Sequence, residues 1–215
     1  MVSRAVVVAC LLASSLASAQ EAPRSVEGMG RIAVQGGYRW TPNSEFMRRA
    51  ADLQHPVVGS MNGGPQFSAS FGYAPLDWVE ATIDVFVGFE SFKLEGFEEF
   101  TSTTYGALLG IRLVKMDFPV RRLVPYLGAQ LGPVLSFITS KSTPGAERLN
   151  TGYSINAGLT VRLTDRWGVG FDVRYLFARG DVPEVATIDA GGLWVSLSLT
   201  YFIPAGPKDP LGGML

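Results

Sequence analysis

Residues 78–90 have the sequence WVEATIDVFVGFE, in which apolar and polar side chains alternate. Every odd position from Val79 to Phe89 is apolar, whereas Glu80, Thr82 and Asp84 occupy even positions. Successive side chains of a β-strand point to opposite faces of its sheet. This period of two therefore predicts a strand with one apolar and one polar face.

The same alternation recurs along the rest of the chain. The other segments that show it are residues 30–40, 65–74, 103–114, 123–137, 151–163, 167–178 and 192–203. The eight segments have roughly 10–15 residues each, close to the length with which a tilted strand crosses a bilayer. Eight such segments predict an all-β protein.

The connections between these segments alternate in length. The short ones are residues 75–77, 115–122 and 164–166, and the long ones are 41–64, 91–102, 139–150 and 179–191. An antiparallel up-and-down barrel, with short turns at one end and long loops at the other, predicts this alternation. An even strand count then places both chain ends beside the short turns.

The first long loop contains a helical pattern. Residues 44–53 predict a short helix in which Ser44 is the N-terminal cap. Phe46, Met47, Ala50 and Leu53 would lie on one side of that helix.

The apolar positions of the eight segments contain no Asp, Glu, Lys or Arg, although charged residues make up 17% of the chain. An Arg or Lys on the lipid-facing side of a barrel, at the bilayer midplane, costs about 2–4 kcal/mol. A strand face without charge is therefore typical of a surface in contact with lipid. We predict an eight-stranded antiparallel up-and-down transmembrane β-barrel; a soluble periplasmic barrel with the two faces exchanged is the alternative.

The polar positions carry nine charged side chains of both signs. They are Arg31, Arg39, Glu80, Asp84, Glu90, Arg112, Arg162, Asp172 and Arg174. Side chains can fill the interior of an eight-stranded barrel, so we expect a closed network of ion pairs in the lumen. Within it, Glu80, Asp84 and Asp172 are expected to pair with Arg112, Arg162 and Arg174. An open conducting channel lined by the same charges is the alternative.

Aromatic residues lie near the ends of the predicted strands and at the turns. The candidates are Tyr38, Trp40, Tyr73, Trp78, Phe89, Tyr105, Phe137, Tyr153, Trp167 and Tyr201. Aromatic residues form girdles at the two interfaces of a membrane barrel. We predict such a girdle here; ordinary sheet aromatics are the alternative.

The N-terminal residues have the features of a secretory signal peptide. Arg4 precedes an uncharged apolar stretch, residues 5–12, and Ala17-Ser18-Ala19 forms a small-residue cleavage site. We expect cleavage after Ala19. This divides the chain into a signal peptide (1–19), an N-terminal periplasmic segment (20–29), a barrel (30–203) and a short Pro/Gly-rich tail (204–215).

Few residues point to catalysis or to a bound cofactor. The single cysteine, Cys10, lies in the expected signal peptide, so no disulfide or thiolate metal site is expected. The single histidine, His55, lies in a loop, and the chain contains neither a phosphate-binding loop nor a metal-ligand spacing. With 18 Lys and Arg against 19 Asp and Glu, no basic excess indicates nucleic acid. We predict a protein that is not an enzyme and has no cofactor.

Two stretches resemble a known family. VPYLGAQLGPVLSF (124–137) and NAGLTVRLTDRWGVGFDVRYLF (156–177) are similar to the outer-membrane β-barrel superfamily of outer membrane proteins A, X and W. The match is carried by Pro125, Tyr126, Gly128, Gly132, Gly158, Asp165, Arg174 and Tyr175. The resemblance implies the outer membrane of a Gram-negative bacterium, with membrane lipid, lipopolysaccharide and the barrel assembly machinery as partners. The family's terminal aromatic residue is replaced here by an internal one, since residues 203–215 follow Tyr201 and Phe202.

Three functional hypotheses remain open on the sequence. The first is a structural or surface-interaction barrel, whose surface partner the sequence does not identify. The second is a narrow porin-like passage for small or hydrophobic solutes, similar to outer membrane protein W. The third and weakest is a lipid-modifying barrel enzyme that uses His55.

Overall fold

The computed structural model describes residues 25–58, 61–96, 98–116, 120, 122–140, 146–182 and 186–205. The expected signal peptide and residues 206–215 of the expected tail lie outside these ranges. The elements are β1 (Gly30–Trp40), α1 (Ser44–Asp52), β2 (Gly64–Leu76), β3 (Val79–Lys93), β4 (Glu99–Val114), β5 (Leu123–Thr139), β6 (Ala146–Arg162), β7 (Trp167–Phe177), β8 (Arg179–Val182), β9 (Ala186–Asp189) and β10 (Gly192–Ile203).

Eight of the strands form a closed barrel. Around the barrel the order is β1, β2, β3, β4, β5, β6, β7 and β10, and β10 pairs again with β1. Every neighbouring pair is antiparallel, and the closing pair runs from Gly30 opposite Ile203 to Trp40 opposite Leu193. The eight predicted strands and the up-and-down topology are confirmed.

Five strands, β2 to β6, extend further than the alternation predicts. β3 continues to Lys93 and β4 begins at Glu99, so the expected loop 91–102 is reduced to residues 94–98. The expected loop 139–150 is likewise shortened to residues 140–145 between β5 and β6. In these extensions polar residues such as Ser91, Thr101 and Glu147 occupy the outward face, which removes the contrast between the two faces on which the prediction depended.

Two more small elements lie among the long connections. β8 and β9 form a two-stranded hairpin within the segment expected to be a loop. The predicted helix is present, but Asn43 rather than Ser44 is its N-terminal cap residue. The Asn43 side chain makes no cap hydrogen bond; its Oδ1 instead accepts one from the backbone N–H of Asp189, at 2.9 Å. Leu53, expected on the buried side, is 48% exposed.

The two faces of the barrel wall differ as the alternation predicts. Large apolar side chains point outward and remain exposed, for example Leu109 and Leu127 at 58% each. Charged side chains such as Asp84 and Arg112 point inward and are fully buried. Among the described helices, none is both long and apolar enough to span a membrane.

Candidate functional site

A network of ion pairs crosses the middle of the lumen. Its centre is Asp84, on β3, which contacts two arginines of different strands. Arg112 Nη2 on β4 lies 3.1 Å from Asp84 Oδ2, and Arg174 Nη2 on β7 pairs with the same oxygen. The side chains of all three residues are at most 1% exposed.

The network extends from Asp84 in both directions. On one side, Glu80 Oε1 lies 3.4 Å from Arg112 Nη1 and 2.6 Å from Arg31 Nη2. On the other, Arg174 Nε lies 3.7 Å from Asp172 Oδ1. Three arginines and three carboxylates therefore alternate across the lumen, and their charges balance.

Polar and aromatic groups complete the environment of the network. Tyr126 donates a hydrogen bond of 2.8 Å to Asp172 Oδ2, and Asn156 Nδ2 donates another of 3.2 Å to the same oxygen. The guanidinium carbons of Arg31 and Arg112 lie 5.4 and 5.1 Å from the centre of the Tyr126 ring. These distances are within the range of cation–π attraction, so the phenol contacts both signs of charge.

Glycines on the lumen side of the strands make room for these long side chains. A Cβ atom at Gly72 would lie 2.5 Å from Glu80 Cδ, and one at Gly128 would lie 2.7 Å from Arg112 Cγ. At Gly158 a Cβ atom would collide with the Tyr126 hydroxyl. The high glycine content of the polar face follows from this crowding.

The membership of the network differs from the prediction in one arginine. Arg31 is its third arginine, whereas Arg162 was expected in that position. Arg162 lies near the turn between β6 and β7, where its Nη2 donates a 2.9 Å hydrogen bond to the carbonyl oxygen of Asp165. Its guanidinium carbon is 5.2 Å from the centre of the Phe202 ring. The alternation of apolar and polar residues predicts the face on which a side chain lies, but not its position along the barrel axis. This explains why Arg162 was wrongly expected in the network.

An apolar layer adjoins the network, and on β3, β4 and β7 its members are nearer the loop end than the network residues of the same strand. Its members are Phe86, Leu108, Val134, Leu176, Ala178, Ala190 and Trp194, all at most 7% exposed. The rings of Phe86 and Trp194 meet edge to face with centroids 5.0 Å apart. Sequence reasoning missed this layer. Unbroken apolar triplets such as Val85-Phe86-Val87 and Leu193-Trp194-Val195 are the signal that could have indicated it.

A second ion pair lies beyond the apolar layer and holds the loops. Arg39 Nη2 is 3.6 Å from Glu90 Oε2. Glu90 Oε1 accepts hydrogen bonds from Thr41 Oγ1 at 2.8 Å and from the backbone N–H of Gly63 at 2.9 Å. Arg39 Nη1 donates to the carbonyl oxygen of Ala190 at 2.6 Å. This pair therefore joins both ends of the first loop and the end of the last loop to the barrel.

The loops pack over the barrel mouth through their own apolar cluster. It comprises Phe46, Ala50, Met61, Phe92, Leu94, Phe100, Ile138 and Ile188, with Met47 and Val57 against it. Phe92 stacks on Phe100 at 5.4 Å and meets Phe46 edge to face at 5.8 Å. Helix α1 is thus packed against the upper strands.

The predicted girdle residues lie in two rows on the outer face. Trp40, Tyr38, Phe89, Tyr105, Phe137 and Tyr153 are on the loop side of the wall, and Tyr73, Trp78, Trp167 and Tyr201 are on the turn side. Nine of the ten are 38–58% exposed, and Tyr201 is partly buried. Tyr38 contacts Trp40, and Trp167 contacts Tyr201, at 4.9 and 5.0 Å between centroids.

His55 lies at the base of the first loop. Its Nδ1 is 3.3 Å from the carbonyl oxygen of Glu95, next to the isolated bridge between Val57 and Leu94. Among the described residues, no group of three or more His, Cys, Asp and Glu side chains is placed to hold a metal ion.

A family model described as outer membrane protein beta-barrel domain matches residues 6–200. The chain belongs to this family of outer-membrane β-barrels. Membership implies that the barrel resides in the outer membrane, so that the outer face, which carries no charge within the eight predicted segments, contacts lipid. In the usual orientation of such barrels the short turns are periplasmic and the long loops are external. No curated protein sequence matches the chain.

Solved outer-membrane barrels share this fold. OprG of Pseudomonas aeruginosa superposes with a TM-score of 0.54 at 12% identity, covering 83% of this chain and 98% of OprG. Neisserial surface protein A has a TM-score of 0.53 at 15% identity, with 82% and 99% covered. Ail of Yersinia pestis, in complex with the heparin analogue sucrose octasulfate, has a TM-score of 0.51 at 13% identity, with 82% and 99% covered. At these identities the likeness concerns the fold alone.

Proposed function

We propose that this outer-membrane barrel is non-enzymatic, has a structural or surface-interaction role, and does not conduct solutes through its lumen. Its outer loops, which pack on the barrel mouth, would form the contact surface. The surface partner is not identified by the residues described above.

The observation that carries the proposal is the filled lumen. The six-member ion-pair network, the apolar layer and the Arg39–Glu90 pair are all buried in the lumen, and along β3 their members follow one another as Glu80 and Asp84, Phe86, and Glu90. Because the network is neutral and its members pair mutually, it resembles a plug rather than a ring of one charge that selects ions. The phenyl ring of Phe86 and the aliphatic side chains of Leu108, Val134 and Leu176 offer no hydrogen-bond partner to a hydrated ion.

Conductance across a planar bilayer tests this proposal. The purified full chain should give no steady unitary currents under conditions in which a general-diffusion porin conducts. Asp84→Asn and Arg112→Gln should be silent as well, because the apolar layer remains. Steady wild-type currents that change in either variant would instead support a narrow passage for small solutes, and the plug would be refuted.

The absence of catalysis is tested at His55. The contact of its ring with the Glu95 carbonyl supports a structural use of the side chain. Cells that express the His55→Ala variant should contain the same lipid A species as cells with the wild-type chain, measured by mass spectrometry. A lipid A species lost only in the variant would establish a lipid-modifying enzyme.

We also infer that the barrel assembly machinery inserts the chain by reading the last strand. Tyr201 points outward and Phe202 inward on β10, where family members end on an aromatic residue. Replacing Tyr201 and Phe202 by Ser should reduce the amount of heat-modifiable barrel in the outer-membrane fraction, whereas Ser at Pro204 and Ala205 should not.

A further inference from the structure

The barrel wall opens between β6 and β7 near its external rim. Backbone pairing of these strands ends at Tyr153 opposite Phe177. β6 continues to Ala146, paired on its other side with β5, whereas β7 gives way to the hairpin strand β8 after Ala178. Above the last rung, β6 therefore has a partner strand on one side only.

The side chain of Asn150 bridges the opening where the backbone rungs have ended. Asn150 Nδ2 donates a 2.7 Å hydrogen bond to the carbonyl oxygen of Arg179, and Asn150 Oδ1 accepts one of 3.1 Å from the N–H of Arg179. The Asn150 amide thus bonds both backbone groups of Arg179, so that β8 and β6 are joined here by a side chain and not by backbone hydrogen bonds. The space left between the two strands is a cavity of about 220 Å³.

The cavity has an aromatic flank and a polar interior. Tyr153 and Phe177 stack at 5.0 Å on the outward side, where they are 58% and 41% exposed. Asn150, Arg179 and Asp189 supply an amide, a guanidinium and a carboxylate to the lining. Such a combination offers a stacking surface for a ring, hydrogen-bonding groups for hydroxyls and one guanidinium for an anionic substituent.

The polar lining continues over the external face. Arg179 and Asp189 also line a second cavity, of about 300 Å³, whose other wall is α1 with Glu45 and Arg49. Burial raises the pKa of Asp189, Arg179 lowers it, and Glu45 raises it further. The two cavities share Arg179 and Asp189 and carry charges of both signs, and together they extend from the outward-facing rings of Tyr153 and Phe177 to the loops.

We propose that the β6–β8 opening binds the phosphorylated saccharide headgroup of an outer-leaflet glycolipid, the chemistry of lipopolysaccharide. Tyr153 and Phe177 lie at the girdle, the level at which headgroups meet the barrel. A sugar ring would pack on these rings, Arg179 would pair with a phosphate, and Asn150 and Asp189 would bond hydroxyl groups. An apolar solute would leave the polar groups of Asn150, Arg179 and Asp189 without partners. A glycerophospholipid without a sugar headgroup would leave the aromatic rings without a stacking partner.

Binding is measured with the full chain in nanodiscs of phosphatidylethanolamine and phosphatidylglycerol, to which a deep-rough lipopolysaccharide is titrated. Native mass spectrometry should show one glycolipid retained per barrel. Arg179→Gln and Tyr153→Leu should each weaken retention about tenfold, the effect of losing one charge-assisted or stacking contact. Tyr153→Phe, which keeps the ring, should retain most of the binding.

Matched controls lie outside the opening. Arg48→Gln removes an exposed arginine of α1 that lines neither cavity, and Tyr105→Leu removes a girdle tyrosine on β4; both should bind as the wild type does. Heat-modifiable gel mobility checks that each variant is folded. If the Tyr153→Leu variant does not fold, the Arg179→Gln variant, whose substitution lies in the external hairpin, still tests the proposal. Equal binding by the Arg179→Gln and wild-type chains, or equal retention of phosphatidylglycerol, would overturn the proposal. The result does not depend on whether the lumen conducts.

Discussion

At the scale of single residues, Asp84 is the lumen residue whose ion pairs should matter most for the stability of the barrel. Two arginines share one of its oxygens, and neither the carboxylate nor the guanidinium groups reach solvent. Removing one partner of a buried ion pair leaves the other charge without compensation. The barrel therefore depends on this carboxylate more than on any exposed ion pair.

The Asp84→Asn variant should lower the free energy of unfolding by about 3–5 kcal/mol, because Arg112 and Arg174 keep their charges and lose the one between them. Urea unfolding in lipid vesicles measures the change. Ser70→Ala is the matched control: Ser70 lies opposite Asp84 on β2, and its buried hydroxyl has no hydrogen-bond partner in the part of the chain that the structure describes. Equal stability of the two variants would mean that the network contributes nothing.

Gly128 tests the crowding of the lumen. An alanine methyl group there would lie 2.5 Å from Asn156 Oδ1 and 2.7 Å from Arg112 Cγ, so Gly128→Ala should cost about 1–3 kcal/mol through displaced side chains. Gly36→Ala, on β1, places the methyl group in ordinary contact at 3.5 Å from Phe67. The same unfolding measurement should show little change in this control. A Gly128→Ala barrel as stable as wild type would show that the lumen has spare volume.

At the scale of elements, the strands were predictable because lipid and lumen impose opposite demands on alternate residues. β1 and β10 have the predicted bounds. The β8–β9 hairpin was not predictable, since its two strands have four residues each and lie outside the region where lipid imposes a pattern. The cap at Asn43 depended on a tertiary contact with Asp189, which no local sequence rule contains.

Glu90 holds the external elements to the barrel through Thr41 and Gly63. Glu90→Gln should therefore loosen the first loop while the barrel stays closed, because the amide removes the charge that faces Arg39. Hydrogen exchange of the amides in α1 and of Gly63 should become faster, and that of mid-barrel amides in β3 should not. Unchanged exchange in α1 would show that the apolar cluster alone holds the helix.

The hairpin should respond to pH through Asp189. Burial raises its pKa above the ordinary value, with Glu45 adding to the effect and Arg179 opposing it. A carboxyl group whose pKa is raised in the folded state favours that state below its unfolded pKa, and the stability is lost as pH rises through the folded pKa. Exchange of the Ile188 amide, relative to the intrinsic rate, should thus increase from acidic to neutral pH. In Asp189→Asn this dependence should be reduced; an identical profile would contradict the assignment.

At the scale of the whole molecule, the absence of charge from the outer face of the described strands between the two girdle rows is what commits the barrel to the membrane. Leu109 lies midway along β4 and is 58% exposed, whereas Leu149 is 67% exposed on β6, four residues beyond the girdle residue Tyr153. Leu109→Arg should lower stability in lipid vesicles by about 2–4 kcal/mol, and Leu149→Arg by only about 0–1 kcal/mol. Similar losses at both sites would mean that the lipid boundary is misplaced.

Whole-molecule properties were also where sequence reasoning was least complete. The parity of Arg31 and Arg162 was evident from the sequence, but which of them pairs with Glu80 in the network depends on strand register, which is set by all the pairs around the barrel. The apolar layer at Phe86 and Trp194 was hidden for a similar reason. A single apolar residue on the polar face of one strand indicates a cluster only when the register of the neighbouring strands places further apolar residues beside it.

The barrel wall has unequal strand lengths. β3 to β6 have 15–17 residues, whereas β1, β7 and β10 have 11 or 12. The outer rim is therefore uneven: it is higher where β3 to β6 form the wall and lower where β1, β7 and β10 form it. Helix α1 packs against the upper ends of the longer strands through Phe92 and Phe100. An antibody, a phage fibre or a host receptor that approaches from outside would meet the higher side first, so an epitope tag inserted between β5 and β6 should be the easiest to reach on intact cells.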